Sequence, residues 1–257
     1  MILQILILGM IQGVTEFLPI SSSGHLVLIQ YVFGLKEMLF YDVLLHFSTL
    51  LAVFIFFYKD IIDYLKNLRV IFYIVFLTIP TAIIGLFVKK YFSFVYDNSL
   101  ISGICLTITG LWLYFTEKIY MNNTKEKISV ENLGALKALV VGVAQGISVL
   151  PGISRSGSTL GSMLIMNIDK LQTVKFIFIA SIPAILGATF LELKEVIKGD
   201  IIFQKDYIYG MVAAFIFALL SLKFLIKVVN KQKLRYFSYY CWLVGLISIF
   251  VYLIFKS

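Results

Sequence analysis

Pro151-Gly152-Ile153-Ser154-Arg155-Ser156-Gly157-Ser158-Thr159 interrupts a long apolar region with one guanidinium, four hydroxyls and two glycines in nine residues. An unpaired Arg in a bilayer-like setting costs about 2.5–3.5 kcal/mol or more, so Arg155 implies a partner. Nothing in the stretch is acidic. The partner is therefore a carboxylate from elsewhere in the chain or an anionic ligand. An ordinary connecting loop with a snorkelling Arg is the alternative, but Gly, Ser and Arg seldom crowd so densely between two apolar helices.

Working outward, the surroundings are those of a membrane protein. The chain has 257 residues, of which 60% are hydrophobic and 14% charged, and its mean hydropathy is +0.97. That composition defines an all-α polytopic membrane protein. The net charge of +8 reads as membrane topology, because Lys and Arg sit between apolar spans; a nucleic-acid partner is not expected. No cleavable signal is expected, since the first apolar run belongs to the body of the protein. Cys105 and Cys241 fall in separate apolar runs and suggest neither a disulfide framework nor a metal cluster.

The segment 134–150 is short and stops at Pro151, and a second short run follows over about 158–168. The same pattern stands near the start of the chain. Residues 1–18 stop at Pro19, the polar Ser21-Ser22-Ser23-Gly24-His25 follows, and a run from Leu26 to Phe33 ends near Gly34. None of these pieces comfortably reaches the roughly 20 residues of a full crossing, so each pair reads as a re-entrant hairpin. The two pairs are copies. At a separation of 133, Gly9/Gly142, Gln12/Gln145, Gly13/Gly146, Ile20/Ile153, Ser21/Ser154, Ser23/Ser156 and Gly24/Gly157 are identical. Seven matches in sixteen positions exceed the roughly one or two that composition gives.

Six full spans complete the chain, near 40–58, 70–88, 98–116, 172–191, 207–226 and 237–255. A weaker echo joins Ile79-Pro80 with Ile182-Pro183. The halves, about 1–119 and 134–257, each hold a short pair and three spans. An odd number of spans inverts the second half. The side bearing 59–69, 117–137, 170–175 and 223–235 carries fourteen Lys and Arg; the other side, with Lys36, Lys89, Lys90, Lys194, Lys198, Lys205 and Lys256, carries seven. The positive-inside rule makes the first side cytoplasmic and places both termini outside. Inverted repeats with broken helices meet near the midplane.

The chemistry expected there follows from helix ends. Ser21 to Gly24 precedes one helix N-terminus and Ser154 to Gly157 the other, and such termini attract anions. Ser21, Ser23, Gly24, Ser154, Arg155, Ser156, Gly157 and Thr159 together read as a phosphate or diphosphate cradle, with Arg155 supplying a planar fork. Glu16 lies four residues after Gln12 on the same helix face. It is placed to hold a divalent cation, to pair with Arg155, or to act as a base. His25 is a general acid or base candidate at a helix start, and Ser22 or Ser23 a nucleophile if His25 takes the proton. Asp42 and His46, one turn apart, read as packing or hydrogen-bonding residues beside the cavity. Gln145 reads as an interhelical hydrogen bonder, a role Gln12 shares, with metal binding as an addition.

Gln12-Gly13-Val14-Thr15-Glu16-Phe17-Leu18-Pro19-Ile20-Ser21-Ser22-Ser23-Gly24-His25, the stretch Pro151 to Thr159, and Tyr41 to Val53 resemble motifs of the undecaprenyl-diphosphate phosphatases, also called bacitracin-resistance proteins. The resemblance runs along essentially the whole chain. It implies an enzyme of the bacterial plasma membrane that hydrolyses undecaprenyl diphosphate to the monophosphate carrier used in peptidoglycan synthesis. It also implies a divalent cation (Mg2+ or Ca2+), dimerisation and an active site open to the outer face. By motif position, Gln12 and Glu16 fill the acidic pair, Ser22 and His25 the Ser/His pair, and Ser154, Arg155 and Thr159 the diphosphate clamp. One departure stands out: many members have Glu where this chain has Gln12. Two rival classes share the architecture, a lipid-phosphate or anion transporter and a non-catalytic lipid-diphosphate receptor.

Overall fold

The structure, a computed structural model, describes residues 2–35, 38–197, 204–231 and 233–255. The described residues form α1 (Ile2–Thr15), α2 (Ser22–Phe33), α3 (Leu39–Phe56), α4 (Tyr58–Leu65), α5 (Leu68–Tyr91), α6 (Ser99–Asn122), α7 (Ala135–Ile147), α8 (Arg155–Ile165), α9 (Lys170–Ile197), α10 (Tyr207–Asn230) and α11 (Arg235–Phe255). Lys36, Lys198 and Lys256, counted above for the less basic side, lie outside the described residues.

Helices α5, α6, α9, α10 and α11 are each long and apolar enough to cross a membrane, and α3 with α4 makes a sixth if the bent pair counts as one span. At 14 and 13 residues, α1 and α7 extend only about 20 Å at 1.5 Å per residue, short of the roughly 30 Å hydrocarbon core. With α2 and α8 they form the two expected hairpins. The first span departs from expectation. The chain bends by 78° after α3, and the polar connection expected over 59–69 is partly the helix α4. Lys59, Asp60, Asp63 and Lys66 cannot continue into an apolar layer. The bend leaves Tyr58, Ile62 and Leu65 exposed, and Asp60 accepts a hydrogen bond from Lys175 Nζ of α9 at 2.7 Å.

The halves interlock. α1 lies along α10 of the other half, α7 lies along α5, and α6 packs on α11. The exchange holds at single residues. A side chain on Gly9 would strike the carbonyl of Gly210, and one on Gly142 the carbonyl of Leu77. Both Gly9/Gly142 and Leu77/Gly210 are 133 apart. The Pro80/Pro183 echo does not follow this relation. Pro80 lies in α5, the counterpart of α10, whereas Pro183 lies in α9. The two prolines mark non-equivalent helices.

The core runs between the hairpins and the long helices. Phe17, beside the first hairpin turn, meets Phe178 of α9 edge-on at 5.0 Å between ring centroids, and Phe57 stacks on Phe178 at 6.2 Å. These rings fix the first hairpin against α3 and α9.

Candidate active site

Each hairpin turn is closed by a serine cap. Ser21 Oγ accepts from Gly24 N at 3.3 Å at the start of α2, and Ser154 Oγ accepts from Gly157 N at 3.0 Å at the start of α8. Each capping hydroxyl lies beside a second serine, Ser21 with Ser23 at 3.3 Å and Ser154 with Ser156 at 3.2 Å. The turns also fasten to each other. Gly152 N donates to Ser21 Oγ at 3.1 Å, and Ser156 Oγ donates to the Leu18 carbonyl at 2.9 Å. A Cβ on Gly24 would come within 2.9 Å of Gly152 Cα, so this crossing of two backbones needs glycine. Thr159 Oγ1 donates to its own helix at Arg155 O, 2.8 Å away.

This is a different use from the one expected. The hydroxyls of Ser21, Ser154, Ser156 and Thr159 are buried and build the frame of the cradle. Buried donors and N-terminal amides must be satisfied, and the caps do this locally. The first residues of the two helices, Ser22 and Arg155, are left to present the chemistry.

Glu16 is the centre of that chemistry. It follows α1, is 4% exposed, and accepts on Oε1 from Arg155 Nη2 across the hairpin contact. Its Oε2 accepts from Ser22 Oγ at 2.6 Å and from Gln12 Nε2 at 2.8 Å. The expected Glu16–Arg155 pairing is present, and it joins the two hairpin tips directly. The pair is not sealed: the Glu16 side chain is 1% exposed but that of Arg155 is 24%.

His46 completes the group. Its Nδ1 lies 3.2 Å from Glu16 Oε2 and 2.9 Å from Gln12 Nε2. Of the packing or hydrogen-bonding role expected for His46 beside the cavity, the structure shows the hydrogen-bonding one, and within the centre itself. Its spacing from Asp42 was the available signal, but periodicity does not tell a histidine facing a site from one facing a neighbouring helix. Asp42 does serve a hydrogen-bonding role, accepting from Gln30 Nε2 at 2.7 Å.

His25 and Ser22 are not paired as the motif implied. His25 Nδ1 lies 2.7 Å from the Ser21 carbonyl, and Nε2 lies 2.9 Å from the Tyr240 hydroxyl of α11. The ring nitrogens of a buried imidazole need partners. The carbonyl four residues back and α11 supply them, while Ser22 one turn away points to Glu16. Gln145, the counterpart of Gln12, donates to Thr81 Oγ1 at 3.4 Å, which is the interhelical role expected.

The donors suit a hard cation. Gln12 Oε1 is buried and has no hydrogen-bond partner, and it belongs to the side chain whose amide nitrogen holds the Glu16 carboxylate. Among the described residues no three His, Cys, Asp or Glu side chains are grouped so as to hold a metal. Mg2+, however, is commonly bound through one or two carboxylates plus the phosphates of a substrate. Glu16 and Gln12 fit that manner of binding.

Fold and centre together define an integral membrane protein in which two broken-helix hairpins bring an arginine, a carboxylate and a serine to one anion-attracting point. A family model for the bacitracin resistance protein BacA matches residues 5–247, and the chain belongs to that family. Its relatives include the undecaprenyl-diphosphatase of Carboxydothermus hydrogenoformans, 41% identical over 249 residues that make up 94% of each chain. The undecaprenyl-diphosphatase of Alkaliphilus metalliredigens is 41% identical over 95% of this chain and 96% of its own. That of Methanosphaera stadtmanae is 36% identical over 96% and 97%.

Proposed function

We propose that this chain is an undecaprenyl-diphosphate phosphatase. It releases inorganic phosphate from undecaprenyl diphosphate and returns the monophosphate carrier to cell-wall synthesis. The observation that carries the reading is the convergence of Ser22 and Arg155, the first residues of α2 and α8, on the two oxygens of Glu16. The membership and the relatives reported above point to the same substrate.

The diphosphate takes over Arg155 from Glu16, and the guanidinium spreads its charge over the oxygens of the transferring group. The carboxylate so freed accepts the Ser22 proton along an existing hydrogen bond of 2.6 Å. Ser22 Oγ forms a bond to the terminal phosphorus, and the bond from that phosphorus to the bridging oxygen breaks. Undecaprenyl phosphate leaves with the bridging oxygen and takes the proton from Glu16. Glu16 then takes a proton from water as the water oxygen attacks the phosphoserine, and returns it to Ser22 Oγ. Glu16 and Gln12 are the residues that would hold a divalent cation, Mg2+ or Ca2+, which would supply further charge neutralisation.

The prenyl tail lies against the exposed apolar faces of the long helices. The excess of Lys and Arg supports a cytoplasmic position for 117–137 and 223–235 with both chain ends outside, and the family resemblance implies a centre open to the outer face of the bacterial plasma membrane.

Phosphate release from a prenyl diphosphate by purified protein in detergent, with and without chelator, tests this. Release without a second compartment is expected, and it falls on chelation. A transporter gives no release under these conditions, and a receptor gives binding without turnover.

A further inference from the structure

The steps proposed above run through Glu16, Ser22 and Arg155 and leave the Tyr240–His25 contact without an assigned part, and no motif points to it. It joins the last helix to the first hairpin across 215 residues of chain, with Tyr240 Oη 2.9 Å from His25 Nε2. The rings lie parallel within 6° at 5.6 Å between centroids. The chemistry of the partners fixes the protons. A carbonyl only accepts, so the contact between His25 Nδ1 and the Ser21 carbonyl at 2.7 Å places a proton on Nδ1. In the neutral ring Nε2 is then the bare, basic nitrogen, and the Tyr240 hydroxyl donates to it. Tyr240 is 40% exposed while His25 is 8%, so the contact joins a buried ring to one at the protein surface.

We infer that Tyr240 is a positioning residue for His25. Its hydroxyl holds the imidazole as the Nδ1-protonated form, with Nε2 left unprotonated beside the α2 terminus where the diphosphate arrives. The inference rests on the phosphatase reading for its effect on turnover, but the contact itself is open to test without any turnover. The repeat offers no substitute. At the same separation of 133, His25 corresponds to Ser158 and Tyr240 to Thr107, so the second hairpin lacks the pair.

The chain contains two histidines, which makes a spectroscopic test direct. Protein labelled with 15N in histidine alone gives ring signals from His25 and His46, and His46→Asn identifies those of His25. The unaltered protein is expected to show a protonated Nδ1 and an unprotonated, hydrogen-bonded Nε2 for His25. A protonated Nε2 in the neutral ring overturns the inference before any Tyr240 variant is made. Tyr240→Phe keeps the ring and removes the hydroxyl. The Nε2 signal is expected to move to that of a free unprotonated nitrogen, while kcat for phosphate release falls about tenfold, the equivalent of one hydrogen bond, with KM held. An unmoved Nε2 signal overturns the contact, and a moved signal with unchanged kcat overturns the positioning role. Absence of turnover in the unaltered protein sinks the phosphatase reading instead, and the Nε2 signal still reports on the contact.

Discussion

Ser22 and Arg155 occupy the same position in the two copies of the hairpin, 133 residues apart, and Glu16 corresponds to Val149. The copies kept the glycines and capping serines that build the crossing and diverged where chemistry is needed. One hairpin supplies a carboxylate and a hydroxyl, the other a guanidinium. Two like charges facing each other would repel at this depth, whereas opposite charges pair and can later be separated by an anion. Arg155→Ala is therefore expected to lower phosphate release by about 10²–10³-fold. Glu16→Ala should do the same, with circular dichroism confirming that both proteins remain helical. Ser22→Ala is expected to abolish a phosphoprotein that rapid-quench experiments with labelled substrate otherwise trap. No covalent label in the unaltered enzyme during turnover would move the attack from Ser22 to water. Gln12, Glu16 and Arg155 were recognisable in the sequence because polar groups amid apolar runs need a reason. His46 was legible only as a packing or hydrogen-bonding residue beside the cavity, and Tyr240 was not legible, since it sits among the aromatic residues common near span ends.

Helices α1 and α7 are held by close backbone approach more than by side-chain bulk. Gly142 faces the Leu77 carbonyl and the Pro80 ring of α5, and small residues at such crossings let two helices share van der Waals contact without a hydrophobic driving force. Gly142→Val is expected to push α7 off α5 and cost about 1–3 kcal/mol, read as a lowered melting temperature in detergent. Gly187 of α9 has open space around it, and Gly187→Ala is expected to stabilise by about 0.5–1 kcal/mol in the same measurement. At the start of α8, Ser154→Ala removes the cap on Gly157 N and is expected to cost about 1 kcal/mol. Because that cap also shapes the turn carrying Arg155, activity should fall further than stability alone accounts for.

The orientation argued from the basic residues is testable across α6. Phe94, 60% exposed, precedes this helix, and Lys125, also exposed, follows it. Single cysteines at Phe94 and Lys125 are expected to react with an impermeant thiol reagent from opposite sides, the first from outside and the second from the cytoplasm. The native Cys105 and Cys241 are buried and free, so their background is low. Labelling of both sites from one side would refute the orientation argued from the basic residues.

Hydropathy, proline and glycine placement and the internal repeat made the spans, the two short hairpins and the polar tips legible from the chain alone, because each is a local property of consecutive residues. The bend after α3 escaped that reading, since charged residues end a span without saying whether the helix stops or turns. The partners in the centre depended on packing. Arg155 finds Glu16 across 139 residues, His46 finds Gln12 across 34, and His25 finds Tyr240 across 215. Periodicity gives the face of a helix but not which distant helix covers it, so the pairing of Glu16 with Arg155 and the withdrawal of His25 to α11 depended on the two halves coming together.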